Sequence, residues 1–478
     1  MSGGQFHRAL GLVDATAVVV GSMIGSGIFI VSAETARNLG APGWFLVAWI
    51  VSGFLTVSAA TCYSELASMF PHAGGQYVFL REAYGKLLGF LYGWTLFMVI
   101  QSGTNAAVAV AFAKFLGVFV SSISDKNILV HIGAWNFTTQ QLVALAVIAL
   151  LTWINCLGIH MAKLIQTSFT ITKVVALFLL IAVGFLAFSH HHGLTPNLVD
   201  LWHAHDTAGH NIEGPGILMV LSLALVGPLF ASDAWNNVTF AGEEVKDPEK
   251  TLPRSLIMGT ALVCILYFVT NVVYLLLLPL AGDSAGATVL ERGIQYASSD
   301  RVGTAALEVI CGPVGEKIMA VAIMISTFGA LNGLILAGPR LYYAMARDGL
   351  FFKKAGVLHS RTNVPVFGLV LQGVWSAILA TSGTYSQLLE FVVFAALLFY
   401  VFTVSAVFIM RKKAPDLDRP FKVPLYPLLP ALYVVSAAVV MLGQILMHWE
   451  YSGAGLLIIL SGLPVYFFWT RKAASVDG

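Results

Sequence analysis

The chain has 478 residues, of which 58% are hydrophobic and only 10% are charged, and its mean hydropathy is +0.83. Soluble domains carry about 25% charged residues, so the composition excludes a soluble globular protein and indicates a membrane protein. The 26 lysine and arginine residues nearly balance the 24 acidic residues, which leaves a net charge of +2. This balance gives no support for nucleic-acid binding.

About twelve apolar segments are long enough, at roughly 20 residues each, to cross a bilayer. The first six lie near residues 10–30, 43–68, 88–120, 140–158, 165–188 and 216–241. The second six lie near residues 255–280, 313–338, 365–382, 388–410, 428–447 and 453–470. No segment between them has the size of a soluble domain. The predicted fold class is therefore an all-α polytopic membrane protein.

The basic residues orient the predicted spans. If the N-terminus is cytoplasmic, most of the 26 fall in inner loops and one, Lys173, falls within a span. The outer basic residues are Arg37, Lys114, Lys126, Arg292, Arg301 and Lys317. The positive-inside rule then predicts a multi-pass protein of the cell (inner) membrane with both termini cytoplasmic. The residues before Gly11 show no pattern of a removable signal peptide.

The first span is interrupted by a segment that disfavours helix. Residues 21–29 read Gly-Ser-Met-Ile-Gly-Ser-Gly-Ile-Phe, and each glycine disfavours helix by about 1 kcal/mol relative to alanine. In a bilayer, the freed backbone groups cost several kcal/mol more unless protein, water or a ligand satisfies them. Exposed N–H groups and a helix N-terminus at such a break suit a carboxylate. We therefore predict a ligand site here.

The sixth span contains a second interruption. Residues 226–237 place Gly227, Pro228 and Asp233 in an otherwise apolar run. Proline removes a backbone donor and clashes with the preceding turn. Broken first and sixth helices are typical of an inverted repeat of five plus five helices, with the substrate between the breaks. The alternatives are a close helix-packing face for the glycines and a simple proline kink.

These motifs resemble the L-type amino acid transporter family of the amino acid-polyamine-organocation superfamily. The matching segments are residues 25–29, 230–236, 242–253, 326–333 with Arg340, and 460–468. The resemblance covers nearly the whole chain and implies a LeuT-type fold, with ten core helices plus two, that exchanges amino acids by alternating access. The implied divisions are a first repeat at 1–190, a second repeat at 191–412, and the last two helices with the C-terminus at 413–478.

The resemblance also implies which residues bind the substrate. Its carboxylate is expected on the Ser26 hydroxyl and on the N–H groups of Ser26, Gly27 and Ile28, where glycine lets the backbone approach closely. Its ammonium is expected on carbonyl groups freed at both breaks, with Ile24 in the first and Phe230, Ala231 and Asp233 in the second as candidates. The other predicted substrate-binding residues are Ile24, Gly25, Phe230, Ala231, Ser232, Asp233 and Trp235. Phe230 is the expected aromatic gate and Trp235 a pocket wall, with ordinary core packing as the alternative for each.

Asp233 leaves three interpretations open. Some members of the resembling family have glycine at this position and others have aspartate. The side chain could contact a substrate ammonium or cationic side chain, or carry a proton, because an acid at membrane depth is by default a candidate functional group. It could instead cap the second half-helix, predicted to begin near Ala234, because aspartate is a preferred N-cap residue.

Lys173 lies about ten residues from Lys163, which marks the inner end of the fifth span. The separation is roughly 15 Å along a helix, which is too far for the ammonium to reach the inner surface. The resemblance places Lys173 where sodium-coupled relatives of this fold bind a cation between the first, fifth and eighth helices. Its charge would then replace sodium and meet carbonyls of the first break, or release a proton during the cycle.

The placement of charged residues also predicts an inner gate. Glu243 and Glu244 follow the sixth span, and Arg340 and Arg347 end the eighth. An ion pair between these groups could bias which side of the protein is open. A solvated charged face is the equal alternative, because surface ion pairs contribute only about 0–1 kcal/mol.

The predicted function is sodium-independent exchange of neutral L-amino acids of small to moderate size. Proton-coupled symport is the alternative mechanism, and a membrane sensor that binds an amino acid without moving it is the alternative class. No enzyme is predicted, because Asp233, Lys173 and Glu65 are isolated and form no catalytic or metal-binding pattern.

The predicted partners are the amino acid substrate and the lipid bilayer. Human members of the resembling family attach to a glycoprotein through a cysteine in the loop after the third span, and residues 119–139 contain none. No disulfide-linked heavy chain is therefore expected, which favours a stand-alone prokaryotic transporter. Six histidines at 190–210 match no defined metal site, and no metal or other cofactor is predicted.

Overall fold

The computed structural model describes residues 8, 10–133, 135–187, 194–206, 210–383 and 385–474. Within these ranges, nine helices are long and apolar enough to cross a membrane singly, and one further pair meets at a bend of 43°. Two shorter apolar helical stretches are Pro215–Ala231 and Val366–Ala380. The protein is thus a polytopic helical membrane protein, as its composition predicts.

The first part of the chain forms nine helices and one hairpin. They are α1 (Leu12–Met23), α2 (Gly27–Leu39), α3 (Pro42–Met69), α4 (Gln76–Tyr84), α5 (Lys86–Thr95), a π-helical turn (Leu96–Ile100), α6 (Gln101–Leu116), β1 (Ile128–Ile132), β2 (Trp135–Thr138), α7 (Thr139–Cys156), α8 (Ile159–Ala187) and α9 (Leu194–Val199).

The second part is helical in its regular elements. They are α10 (Pro215–Ala224), α11 (Val226–Ala231), α12 (Asn237–Phe240), α13 (Pro248–Leu277), α14 (Val289–Arg292), α15 (Val302–Arg347), α16 (Val366–Ala380), α17 (Tyr385–Lys413), α18 (Leu428–Met447) and α19 (Trp449–Ala474). Short 3-10 turns precede α13, α15 and α16.

The first predicted interruption is a real break between α1 and α2. The backbone leaves the helix at Ile24, which is extended (φ −74°, ψ 93°), and re-enters it after Ser26. A Cβ atom on Gly27 would lie 2.6 Å from both Cα and Cβ of Ala231. Only glycine allows this approach, and it brings the first break against the end of α11.

The second interruption separates α11 from α12. Helix α11 ends at Ala231, Ala234 adopts a left-handed conformation (φ 66°), and α12 begins at Asn237 with Asn236 as its N-cap residue. The predicted capping role of Asp233 is therefore wrong: the second half-helix begins four residues after Asp233, whose carboxylate accepts a hydrogen bond from Tyr400 instead.

Other helices surround the two breaks. Helix α1 contacts α8, α12, α13 and α15, whereas α11 contacts α2, α3 and α17. The periphery is apolar and exposed, as at Leu186 of α8 and Phe468 of α19, which suits contact with lipid. This arrangement places the breaks inside the bundle and away from its lipid-facing surface.

The two ends of the bundle differ in structure. One carries the antiparallel β1–β2 hairpin, which is tied to the end of α16 by a 2.8 Å bond from Trp135 Nε1 to the Thr381 carbonyl; we call this the hairpin end. At the other end, the Leu10 N–H donates to the Glu244 carbonyl at 3.0 Å, and we call it the N-terminal end.

Among the described residues, the cysteines and clustered histidines form no disulfide and no metal site. All four cysteines are free in the described structure. No group of metal-binding side chains is assembled among the described residues, and part of the predicted histidine cluster, at 190–192, lies outside them.

Candidate functional site

The two breaks enclose a cavity in the middle of the bundle. Helices α6 and α15 complete its wall with Thr104, Val108, Ala330 and Leu334. Its lining includes six of the predicted substrate-binding residues: Gly25, Ser26, Gly27, Phe230, Ala231 and Asp233. The other four predicted residues do not line it, because Ile24 and Ile28 are fully buried in packing and Ser232 and Trp235 line a neighbouring cavity.

One side of this cavity is rich in hydrogen-bond donors. Gly27 and Ile28 are the first residues of α2, and the first N–H groups of a helix have no earlier carbonyl to bind. The Ser26 hydroxyl lies beside them and is 3.2 Å from the Tyr385 hydroxyl. A helix N-terminus of this kind favours a negatively charged group, so the arrangement is chemically suited to a carboxylate.

The carbonyl groups freed at the first break are bound by side chains from distant helices. Tyr267 donates to the Met23 carbonyl at 2.9 Å, and the Ser326 hydroxyl lies 3.3 Å from the carbonyls of both Ile24 and Gly25. Protein donors thereby satisfy carbonyls that a broken membrane helix leaves free. The Ile24 carbonyl, predicted to bind a substrate ammonium, already has Ser326 as a partner.

Lys173 provides the remaining partner at the first break. Its side chain is fully buried, and its ammonium donates to the Gly21 carbonyl in the last turn of α1. The residue belongs to α8, which packs against both α1 and α15. The structure therefore places the ammonium against the unwinding helix, where a cation is electrostatically favoured by the carbonyl end of α1.

The second break contributes an aromatic ring and an acid. Phe230 is 7% exposed, and its ring makes an edge contact with Tyr385 at a centroid distance of 6.1 Å. The Asp233 carboxylate accepts from Tyr400, and Asp233 also borders two further cavities. Asp233 is thus shared by three adjacent spaces, so it is placed to meet more than one ligand position.

Trp235 belongs to an aromatic cluster next to the cavity. Its ring lies 4.7 Å from that of Tyr63 and 5.4 Å from that of Tyr400, measured between centroids, and the side chain is 1% exposed. These contacts match the alternative of ordinary core packing. In this conformation the residue supports Tyr400, which in turn holds Asp233.

At the N-terminal end, one of the predicted ion pairs is present. Arg340 contacts the Glu244 carboxylate with two nitrogens, at 2.7 and 3.3 Å, and both side chains are about 90% buried. A solvated charged face is therefore wrong for this pair. Glu243 instead accepts from the Ala73 N–H at 3.3 Å, and Arg347 contacts Tyr343.

At the hairpin end, three charged residues form a group that the sequence does not predict. Asp300 contacts Arg37 at 2.8 Å and Lys114 at 3.4 Å, and these residues come from a loop, α2 and α6. Burial alone would raise the pKa of Asp300, but the cations Lys114 and Arg37 hold it below its ordinary value. The group ties α2 to α6 above the cavity.

A wide opening lies beside this charged group, and two of its members line the opening. It measures about 740 Å³, and its wall includes Lys114, Gln141, Asp300, Arg301 and Tyr385. Tyr385 also contacts Ser26 and Phe230, so it borders the opening and touches two residues that line the cavity between the breaks. The sequence gives no local signal for its role beyond a tyrosine at the start of an apolar span.

A buried cavity between two broken membrane helices, with ion pairs at both ends of the bundle, is typical of a membrane transport protein rather than an enzyme. The comparisons with known proteins agree. The sequence profile of the amino acid permease family matches residues 10–460, and the chain belongs to this family. The predicted resemblance to L-type amino acid transporters is confirmed by the relatives below.

Three relatives cover almost the whole chain. It is 30% identical to the human large neutral amino acids transporter small subunit 2 over 475 residues, which cover 98% of this chain and 82% of the relative. It is 30% identical to the mouse Asc-type amino acid transporter 1 over 481 residues (98% and 83%). It is 28% identical to the mouse b(0,+)-type amino acid transporter 1 over 466 residues (97% and 88%).

Proposed function

We propose that this protein transports amino acids by alternating access, as a sodium-independent exchanger of neutral L-amino acids. The observation that carries the proposal is the contact of the two breaks at Gly27 and Ala231, which sets the N-terminus of α2 beside the freed backbone of the sixth span. Such a site offers donors to a carboxylate at one side and acceptors to an ammonium at the other. The relatives are all named as amino acid transporters.

The substrate-binding groups of the proposal are the Ser26 hydroxyl and the N–H groups of Ser26, Gly27 and Ile28 for the carboxylate. The carbonyls of Phe230, Ala231 and Asp233 are proposed for the ammonium, with Phe230 as the gate. The name of the human relative, a transporter of large neutral amino acids, supports neutral substrates. The close packing of the cavity in this conformation favours small ones.

Sodium independence is proposed from Lys173. Its ammonium donates to the Gly21 carbonyl, where a bound sodium ion would otherwise neutralise the carbonyl end of α1. A protein cation at this point removes the need for a soluble one. Proton-coupled symport is the competing mechanism, because the buried Asp233–Tyr400 pair is a possible proton carrier.

We further propose a LeuT-type arrangement of twelve spans, which counts α1–α2 as one broken span and includes the two shorter apolar stretches. The repeats would be 1–190 and 191–412, followed by the last two helices at 413–478. The hairpin end would face outward and both termini would be cytoplasmic, so the Glu244–Arg340 pair would close the inner side. The human relative is named a small subunit; for this chain we propose function without a disulfide-linked partner.

Counterflow in liposomes tests the proposal. Purified protein in vesicles loaded with unlabelled amino acid should accumulate the labelled form, and replacing all sodium by choline should not change the rate. A strict sodium requirement would overturn the role of Lys173. Accumulation driven by a pH gradient without internal amino acid would favour proton symport, and binding without counterflow would favour a sensor.

A further inference from the structure

We propose that Tyr385 is a further substrate-binding residue, whose hydroxyl binds the substrate carboxylate together with the hydroxyl of Ser26. This inference rests on the proposed function. It goes beyond it because Tyr385 lies at the start of α17, far from either break in sequence, and no feature of the breaks points to it.

The Tyr385 hydroxyl lies beside the proposed carboxylate site. The Tyr385 and Ser26 oxygens are 3.2 Å apart, beside the N-terminus of α2 where the carboxylate is proposed to bind. Each hydroxyl has one hydrogen to donate, so their mutual contact uses only one of the two. A carboxylate between them would accept from both, and bonds to a charged acceptor are about twice as strong as neutral ones. The contact of two hydroxyls is therefore easily exchanged for a carboxylate.

The tyrosine ring is held in place from several sides. Phe230 packs edge-on against it, and the Lys114 ammonium lies 6.0 Å from the ring centroid on the side of the 740 Å³ opening. Lys114 is itself fixed by Asp300 at 3.4 Å, and its carbonyl accepts from Arg301 at 3.2 Å. A hydroxyl on a ring constrained in this way is pre-oriented toward Ser26 and costs little entropy when it binds a ligand.

Tyr385 also lies on the route from the wide opening to the site, because it borders that opening and contacts Ser26. The cations on the wall of the opening outnumber its carboxylates by three to two. An incoming carboxylate would meet these cations before it reaches Tyr385. The carboxylate would then bind between Tyr385, Ser26 and the α2 N-terminus, and Phe230 would close beside it.

The test is Tyr385→Phe in the liposome assay, which removes the hydroxyl and keeps the ring. If the hydroxyl binds the carboxylate, KM for the amino acid should rise about tenfold while the rate at saturation stays within about twofold, because an interaction of bound substrate has been lost. The corresponding amino acid amide should be tested as an inhibitor. The substitution should raise its inhibition constant by less than about threefold, since its terminal group is uncharged.

The matched control is Tyr342→Phe. Tyr342 is also fully buried, and its hydroxyl has no partner among the described residues, so its loss should leave KM and rate unchanged. A second variant, Lys114→Met, removes the cation beside the Tyr385 ring and should raise KM about threefold by loosening the ring. This variant tests the same interaction if Tyr385→Phe does not fold.

Two results would overturn the inference. An unchanged KM in both variants would exclude contact with the carboxylate, and a lower saturating rate at unchanged KM would make Tyr385 a gate that touches no substrate. Both are distinct from failure of the proposed function, in which the unmodified protein itself would show no counterflow of amino acids.

Discussion

The two helix breaks both lie inside the bundle but differ in the side chains around them. At the first, the freed carbonyls of Gly21, Met23, Ile24 and Gly25 are bound by donors from α8, α13 and α15, which leaves the N–H side open. At the second, the chain adds an ionisable group, Asp233, and aromatic support. Under the proposed function, the first break is a fixed frame for the substrate carboxylate, whereas the second carries the groups that respond to the substrate.

Gly27→Ala should have the largest effect, because it attacks the contact between the breaks. The new Cβ would lie 2.6 Å from Ala231, a distance that forces the backbone to shift, and overpacking of this kind costs about 1–3 kcal/mol. We expect loss of counterflow and a lower apparent Tm of the purified protein.

Gly216→Ala is the control for this substitution, since its Cβ would meet Ile212 at 3.4 Å, an ordinary contact. Both variants remove one glycine from the chain, so they alter backbone freedom in the unfolded chain to a similar extent. Wild-type counterflow in Gly27→Ala would show that the breaks need not touch for function.

Lys173→Met tests the frame at the first break and should have the second-largest effect. It removes the donor to the Gly21 carbonyl, and an unsatisfied buried acceptor costs about 1–3 kcal/mol. We expect counterflow in choline to fall at least tenfold. Lys317→Met changes an exposed lysine and should have no effect; equal rates in the two variants would contradict this role of Lys173.

Asp233→Asn changes the second break and should have a smaller effect. Asparagine keeps an oxygen for Tyr400 and removes only the charge, so counterflow of neutral amino acids should fall by about threefold or less. A selective loss of cationic substrates would show direct charge recognition, whereas equal retention of both would eliminate it. A tenfold loss for neutral substrates would indicate that the acid itself takes part in coupling.

The breaks can be predicted from the sequence because glycine, proline and aspartate are disfavoured within a membrane helix, whatever lies elsewhere in the chain. The spans follow from the same apolar pattern, although the predicted sixth span, 216–241, is three short helices. The partners of the breaks were not predictable in the same way. Ser326, Tyr267 and Tyr385 lie hundreds of residues from the atoms they bind, and a hydroxyl in an apolar span carries no local sign of its partner.

Trp235 shows the same limit of sequence-based prediction, because its position was predictable and its contacts were not. Its place beside the second break is local and was predicted, but the direction of its ring depends on Tyr63 and Tyr400, which belong to other helices. The Asp300 group was missed for a related reason: its members are distant in sequence, and charged loop residues usually remain solvated.

The smallest predicted effect concerns how α2, the second half of the first span, is held at the hairpin end. Because the folded pKa of Asp300 lies below its ordinary value, its pairs with Arg37 and Lys114 stabilise the protein above the unfolded pKa of about 3.9. That stabilisation is lost as the pH falls through the folded value. The Tm difference between wild type and Asp300→Asn should therefore be constant from pH 5 to 8 and should shrink only below about pH 4. A difference that changed between pH 5 and 8 would mean that Asp300 is not held ionised by these cations, and α2 would then need another anchor at this end.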